Sequence, residues 1–231
     1  MNNRTALIIG NSSGIGLELT RQMLEDGFAV IGLSKSNTSI THHSYRHILY
    51  DVTDLKFESF LGELVAQLDS ITVGIYCAGI GAKFDAENLE FETKVFQVNL
   101  MSAVTATNII VKKMREQGYG HFIGLSSIAD ALTSTAAPSY AASKAGVSRY
   151  WEGLGLALAS SNVKISNVRF GFVDTKMAKA PSKPMLIDSK TAAIFIRDVI
   201  RRPRIRASKP YVMSLWAHLL GLLSRIRFFG R

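Results

Sequence analysis

Short apolar runs alternate with longer stretches in which apolar residues recur every three or four positions, and the alternation persists through most of the chain. Thr5 to Ile9, Phe28 to Leu33, Tyr45 to Tyr50, Ile71 to Tyr76, His121 to Ser126 and Val163 to Phe170 read as strands. Several of these are almost uninterruptedly apolar, as strands covered on both faces must be. Helical spacing marks residues around 15–25, 55–68, 92–117, 139–160 and 188–200. Strand and helix taking turns predicts an α/β fold, a doubly wound, mainly parallel sheet with helices on both faces. Ligands then belong at the carboxyl ends of the strands.

The last 21 residues break the pattern. Tyr211 to Ser224 is uncharged, and Val212, Leu215, Trp216, Leu219, Leu220, Leu222, Leu223 and Ile226 form one broad helical stripe. The chain is therefore divided into a domain over residues 1–210 and a basic amphipathic tail over 211–231. From Arg197 to Arg231 there are nine Lys/Arg against Asp198 alone, so this end carries +8 of the formal +9 and the body is nearly neutral. Without an aromatic-interleaved basic groove, that charge does not indicate a nucleic-acid partner. Fourteen uncharged residues are too few to span a bilayer, which needs about 20. Two readings stay open: the stripe packs over a substrate cleft or a partner subunit, or residues 202–231 make a peripheral contact with the inner face of a membrane.

Composition narrows the compartment. At 231 residues and 47% hydrophobic, the chain can bury one substantial core, and no Pro- or Gly-rich linker divides it. A lone cysteine, Cys77, excludes an internal disulfide, and the opening apolar run is too short for a signal peptide, so a cytoplasmic location is expected. No His/Cys spacing suggests a metal site, and His42, His43 and His47 read as a polar surface turn.

Two constellations carry chemistry. The first strand runs into Gly10-Asn-Ser-Ser-Gly14-Ile-Gly16 and a helix follows at once. Glycines let backbone approach a ligand, Ser12 and Ser13 add hydroxyls, and a helix amino terminus offers N–H groups and a positive dipole to a pyrophosphate. The second is Tyr140 and Lys144, four residues apart and so stacked on one helical face. A fixed cation beside a phenol favours the phenolate and makes tyrosine a usable acid/base near neutral pH. Each motif alone is common by chance.

Taken in order along the chain, these pieces resemble the classical short-chain dehydrogenase/reductase family from about Arg4 to Met177. The loop matches its Gly-x-x-x-Gly-x-Gly, and Ser127 precedes Tyr140 by thirteen residues, as its catalytic serine does. Asp51 and Val52 fall where the family holds the adenine, Cys77-Ala78-Gly79 follows the fourth strand, Asn99 sits in the long middle helix, and Arg169 to Thr175 resembles the segment along the nicotinamide. The resemblance implies a single Rossmann-type domain that transfers hydride between a nicotinamide and a carbonyl or alcohol. Tyr140 would be the acid/base, Ser127 would orient the oxygen, Lys144 would lower the Tyr140 pKa and hold the ribose, and Asn99 would fix a water linking Lys144 to solvent. Gly10, Ser12, Ser13, Gly14, Ile15, Gly16, Ser34, Lys35, Asp51, Val52, Ala78, Gly79, Tyr140, Lys144, Val173 and Thr175 would line the cofactor.

Leu33-Ser34-Lys35 offers no carboxylate to repel a 2′-phosphate, so NADP(H) is preferred, with NAD(H) possible. Relatives of this kind assemble as homodimers or homotetramers, here through helices near 100–116 and 140–160. Phe170, Phe172 and Met177 suggest a hydrophobic small-molecule carbonyl or alcohol, and residues 177–188, with Pro181 and Pro184, read as a mobile substrate loop. Ile9, Cys77, Asp130 and Phe170 depart from the family pattern, and none is expected to touch the proton-transfer set. The alternative is a nucleotide-binding regulatory or membrane-associated protein that keeps the fold with little turnover.

Overall fold

The computed structural model describes residues 4–177 and 182–228, with side chains described as far as Gly221 in the last helix. Seven strands make one sheet: β1 (Thr5–Ile9), β2 (Ala29–Ser34), β3 (Tyr45–Leu49), β4 (Val73–Tyr76), β5 (Gly120–Ser127), β6 (Val163–Phe170) and β7 (Arg206–Lys209). Their order is β3-β2-β1-β4-β5-β6-β7, and every neighbouring pair is parallel. The chain reverses its direction of winding between β1 and β4, and the crevice at that point is where a doubly wound sheet binds ligands.

Helices α1 (Gly14–Glu25), α2 (Phe57–Ala66), α3 (Leu89–Phe96), α4 (Ser102–Gln117), α5 (Pro138–Ala157), α6 (Ser189–Arg201) and α7 (Tyr211–Phe228) complete the fold. Alternate residues of β1 feed separate cores. Leu7 and Ile9 join side chains of α2, α4 and α5, whereas Ala6 and Ile8 join those of α1 and α6. Two-sided burial explains why these strands read as continuous apolar runs.

Three details depart from the pattern-based expectation. The expected helix over 92–117 is α3 and α4 joined by a π-helical turn, Gln97–Met101, which rotates Asn99 inward. Strand β7 was not expected, because Arg-Ala-Ser-Lys has no apolar alternation; it is held by pairing with β6. Part of the expected mobile loop is tied to the body by a parallel bridge between Val173 and Ile187, and Pro181 lies outside the described residues.

Helix α5 is set by Trp151. The indole is fully buried and donates to Thr107 Oγ1 at 2.9 Å. Its ring fills the space above Gly124 of β5, where a Cβ would come within 2.3 Å of it. Only glycine lets α5 lie this close to the strand that ends in Ser127.

Candidate active site

The carboxyl ends of β1, β4, β5 and β6 converge on one cleft. Gly10 leaves β1 with φ +93°, a conformation natural to glycine, and a Cβ there would lie 2.4 Å from the amide nitrogen of Ala78. Ala78 is itself fixed by donating to Ile9 O at 3.0 Å. Helix α1 starts at Gly14 with Ser13 as its N-cap, and the Ser13 side chain makes no capping bond. The first-turn N–H groups of an α-helix have no partner within it, so a ring of donors faces this loop. Ser12 and Ile15 are half-buried and Gly16 is buried. Thr175 comes from the far side, its Cγ2 3.0 Å from the point where a Gly14 Cβ would stand, and Val173 beside it is buried.

Toward the other end of the cleft, Ser34 is buried and donates to Ser36 O at 2.9 Å, leaving Lys35 exposed. Asp51 accepts from the Thr53 amide at 2.9 Å and hydroxyl at 2.8 Å, and the amide bond chiefly holds its carboxyl below the usual range, with Lys35 adding a smaller pull. Ser102 of α4 donates to Val52 O at 2.7 Å, tying the segment after β3 to the middle helix.

Ser127, Tyr140, Lys144 and Asn99 come together. Ser127 ends β5; its hydroxyl accepts from Ala129 N at 3.1 Å and donates to Phe170 O at 3.4 Å, and it lies close enough to the Tyr140 phenol to act on it. Tyr140 lies against Gly81, where a Cβ would be 2.8 Å from the ring. Lys144 Nζ donates to Leu125 O at 2.9 Å and stands 5.9 Å from the Tyr140 ring centre. Asn99 accepts from Ile80 N and donates to Ile80 O, both at 2.8 Å, and also donates to Ser143 Oγ at 3.2 Å. Its Oδ1, Lys144 Nζ and Met177 Cε all lie within 3.7 Å of the place a Gly79 Cβ would take.

The electrostatics differ from expectation. Burial raises the Tyr140 pKa, the neighbouring Ser127 hydroxyl only partly offsets this, and Asp130 raises it further. Burial brings Lys144 down to about 8, against a smaller upward pull from Cys77 and Asp130. The lysine is engaged with Leu125 O, so in this state desolvation, rather than the ammonium, governs the phenol.

Asp130 is a second correction, because it acts on both members of the proton-transfer pair. Its carboxylate forms a bidentate ion pair with Arg169 of β6, the two side chains being 5% and 1% exposed. Ser148 of α5 donates to Asp130 Oδ2 at 2.6 Å, while Arg169 Nη1 donates to Ser214 Oγ of α7 at 2.8 Å and Ser208 Oγ of β7 at 3.0 Å. Sequence reasoning missed this pair because its members are 39 residues apart. The available signal was an arginine between Val168 and Phe170 at the inner end of a strand. Phe170 is a third correction: it is 3% exposed and packs on Phe195 in the core rather than lining a pocket.

The comparisons agree with this geometry. A family model described as short chain dehydrogenase matches residues 4–185. The chain belongs to the short-chain dehydrogenase/reductase family. It is an oxidoreductase of the kind that depends on NAD(P). An uncharacterized oxidoreductase of Staphylococcus haemolyticus is 26% identical over 189 residues, covering 78% of this chain and 82% of that protein. The 3-oxoacyl-[acyl-carrier-protein] reductase FabG of Chlamydia trachomatis is 26% identical over 192 residues, covering 77% of each chain. Among solved structures, a short chain dehydrogenase from Burkholderia cenocepacia in complex with NADP superposes with TM-score 0.82 at 20% identity, covering 98% of this chain and 96% of that one. No helix among the described residues is long and apolar enough to cross a membrane.

Proposed function

We propose that this short-chain dehydrogenase/reductase uses NADP(H) to reduce a hydrophobic small-molecule carbonyl, or to oxidise the corresponding alcohol. The observation that carries the reading is the meeting of Ser127, Tyr140 and Lys144 beside Gly79 and the glycine loop. The residues present fit the cofactor. Gly10, Gly14 and Gly16 bring bare backbone to the amino end of α1, which suits a pyrophosphate. Lys35, with no carboxylate at the end of β2, suits a 2′-phosphate, and the Burkholderia relative was crystallised with NADP.

When bound, the reduced nicotinamide supplies hydride to the carbonyl carbon. Charge building on the carbonyl oxygen would be met by the Ser127 hydroxyl and by the proton of Tyr140, which neighbour each other at the end of β5 and the start of α5. Burial keeps the phenol protonated, so Tyr140 carries the proton that reduction consumes. Lys144 would hold the ribose hydroxyls, Asn99, which anchors the loop at Ile80, would fix a water that returns protons from solvent, and Val173 and Thr175 would line the cofactor.

Residues 1–210 form the catalytic domain, α7 is an appended tail, and the enzyme works in the cytoplasm as a homodimer or homotetramer through α4 and α5. Met177, exposed and close to Gly79, supports an apolar substrate. NADPH oxidation with a panel of aliphatic and aromatic ketones and aldehydes is the test. Turnover is expected with apolar carbonyls, and Tyr140→Phe should lower kcat by about 10²–10⁴-fold with NADPH binding retained. NADPH binding with no carbonyl turned over, and a Tyr140→Phe variant indistinguishable from the parent, would leave the reading without support.

A further inference from the structure

Helix α7 is built with its small residues inward. Ser214 and Ala217 are 6% and 4% exposed and Gly221 is buried, whereas Tyr211, Val212, Leu215, Trp216, Leu219 and Leu220 are each between 46% and 68% exposed. That spacing puts the six large side chains on one side of the helix. The helix cannot roll to hide them. Ser214 is held by Arg169, and at Gly221 the helix lies so close to the Ile128–Ala131 turn that a Cβ would come within 2.0 Å of Ala131 O. No leucine fits where these small residues sit. A contiguous apolar face of this kind marks an interaction site.

Charge selects the occupant. Helix α7 contains no Asp or Glu, and of the nine Lys/Arg from Arg197 onward three are paired, Arg197 with Asp26, Arg204 with Asp198 and Arg206 with Glu152, which leaves an excess of six basic residues at this end. Two such tails brought face to face repel, whereas an anionic lipid surface attracts them. Trp216 and Tyr211 on the apolar side are the side chains that favour a membrane–water boundary. Since no described helix can cross a bilayer, the helix would lie along it. Location gives the contact a purpose. Pro210 Cδ and Met213 Sδ pack within 3.2 Å of the position of a Gly171 Cβ, one residue after Phe170, whose carbonyl accepts from Ser127 Oγ at 3.4 Å.

We propose that α7 docks the enzyme on an anionic lipid surface through Tyr211, Val212, Leu215, Trp216, Leu219 and Leu220. Resting on the reading above, its carbonyl substrate then reaches the cleft from the lipid phase.

Trp216 makes the proposal directly measurable. The chain has two tryptophans, and the other, Trp151, is fully buried in the core. The full-length protein is mixed with vesicles of phosphatidylglycerol and phosphatidylcholine, or of phosphatidylcholine alone. A blue shift of emission and co-sedimentation are expected with the anionic vesicles and should weaken in high salt. The Leu215→Gln/Leu219→Gln double variant should partition at least tenfold less, with unchanged NADPH binding and circular dichroism. Absence of shift and pelleting with both vesicles overturns the proposal. So does a double variant that pellets like the parent while light scattering shows a dimer becoming a monomer, because the face then belongs to a second copy. Pelleting with no carbonyl turnover would sink the reductase reading alone and leave the lipid contact standing.

Discussion

Helices α5 and α7 both turn small residues toward the body, with opposite results. Helix α5 buries Ser139, Ala141, Ser143, Lys144, Val147, Ser148, Trp151 and Gly155, so its inner face carries polar groups that the fold must satisfy one by one. Ser143 bonds Tyr140 O, Ser148 bonds Asp130, and Lys144 bonds Leu125 O. Helix α7 buries Ser214, Ala217 and Gly221 and leaves its large apolar side chains in water. In α5 the unusual feature is a polar interior; in α7 it is an apolar exterior. The two helices meet at one ion pair. Ser148 of α5 donates to Asp130, and Arg169, paired with that carboxylate, donates to Ser214 of α7. The tail is therefore wired to the turn that follows Ser127.

Cutting that wire has the largest expected effect. Arg169→Met leaves the Asp130 carboxylate buried and unpaired, and losing one partner of a buried pair costs about 3–5 kcal/mol. Urea unfolding should show this loss. The Asp130→Asn/Arg169→Met double variant should recover most of it, since a buried pair replaced as a unit is often neutral. Catalysis separates the two singles further. Asp130 raises the pKa of both Tyr140 and Lys144, so Asp130→Asn should move the pH profile of kcat to lower pH, and Arg169→Met to higher pH. Equal profiles would show that the pair braces the fold and does nothing else.

A smaller effect, of opposite sign, is expected on the inner face of α5. Burial brings the Lys144 pKa from 10.5 in an unfolded chain to about 8. Between those values the unfolded chain binds more protons, so this lysine makes stability rise with pH over that window, and below about 8 its penalty is complete. At 1.36 kcal/mol per pKa unit the penalty is about 3 kcal/mol. Lys144→Met should therefore stabilise the ligand-free protein at pH 7 by about 2–3 kcal/mol while abolishing turnover, and the stability advantage should fade as pH approaches 10. An unchanged melting temperature at pH 7 would mean that the Leu125 bond compensates the burial.

What the sequence made legible divides along the same line. Strand–helix alternation, the glycine loop, and Ser127, Tyr140 and Lys144 are written in local spacing, because a helix or strand repeats within a few residues. Strand β7 is written nowhere locally; Arg206 to Lys209 become a strand because β6 offers an open edge. Asp130 and Arg169 are likewise silent until β5 and β6 pair, since nothing in either residue's neighbourhood names the other. Spacing puts Lys144 on the same helical face as Tyr140, but its electrostatic influence depends on burial, which spacing does not report. The stripe of α7 was visible as a pattern. Its direction was not, since amphipathicity names two faces without saying which one meets the protein.

The direction of α7 can be tested by two single changes within a turn of each other. Gly221→Ala places a methyl group 2.0 Å from Ala131 O, so the helix must shift off the turn after Ser127. Alanine gains up to about 1 kcal/mol of helix propensity over glycine, but overpacking costs about 1–3 kcal/mol, so a net loss is expected. Leu219→Gln alters a side chain 46% exposed and should change stability by less than about 0.5 kcal/mol. In an ordinary amphipathic helix the result would be reversed, with the leucine costing about 2–5 kcal/mol and the glycine being improved by alanine. Thermal unfolding of the two variants side by side decides whether α7 rests on its small face. If it does, the apolar face is left for something outside the molecule, and the Ser214–Arg169–Asp130 chain carries whatever meets it to within three residues of Ser127.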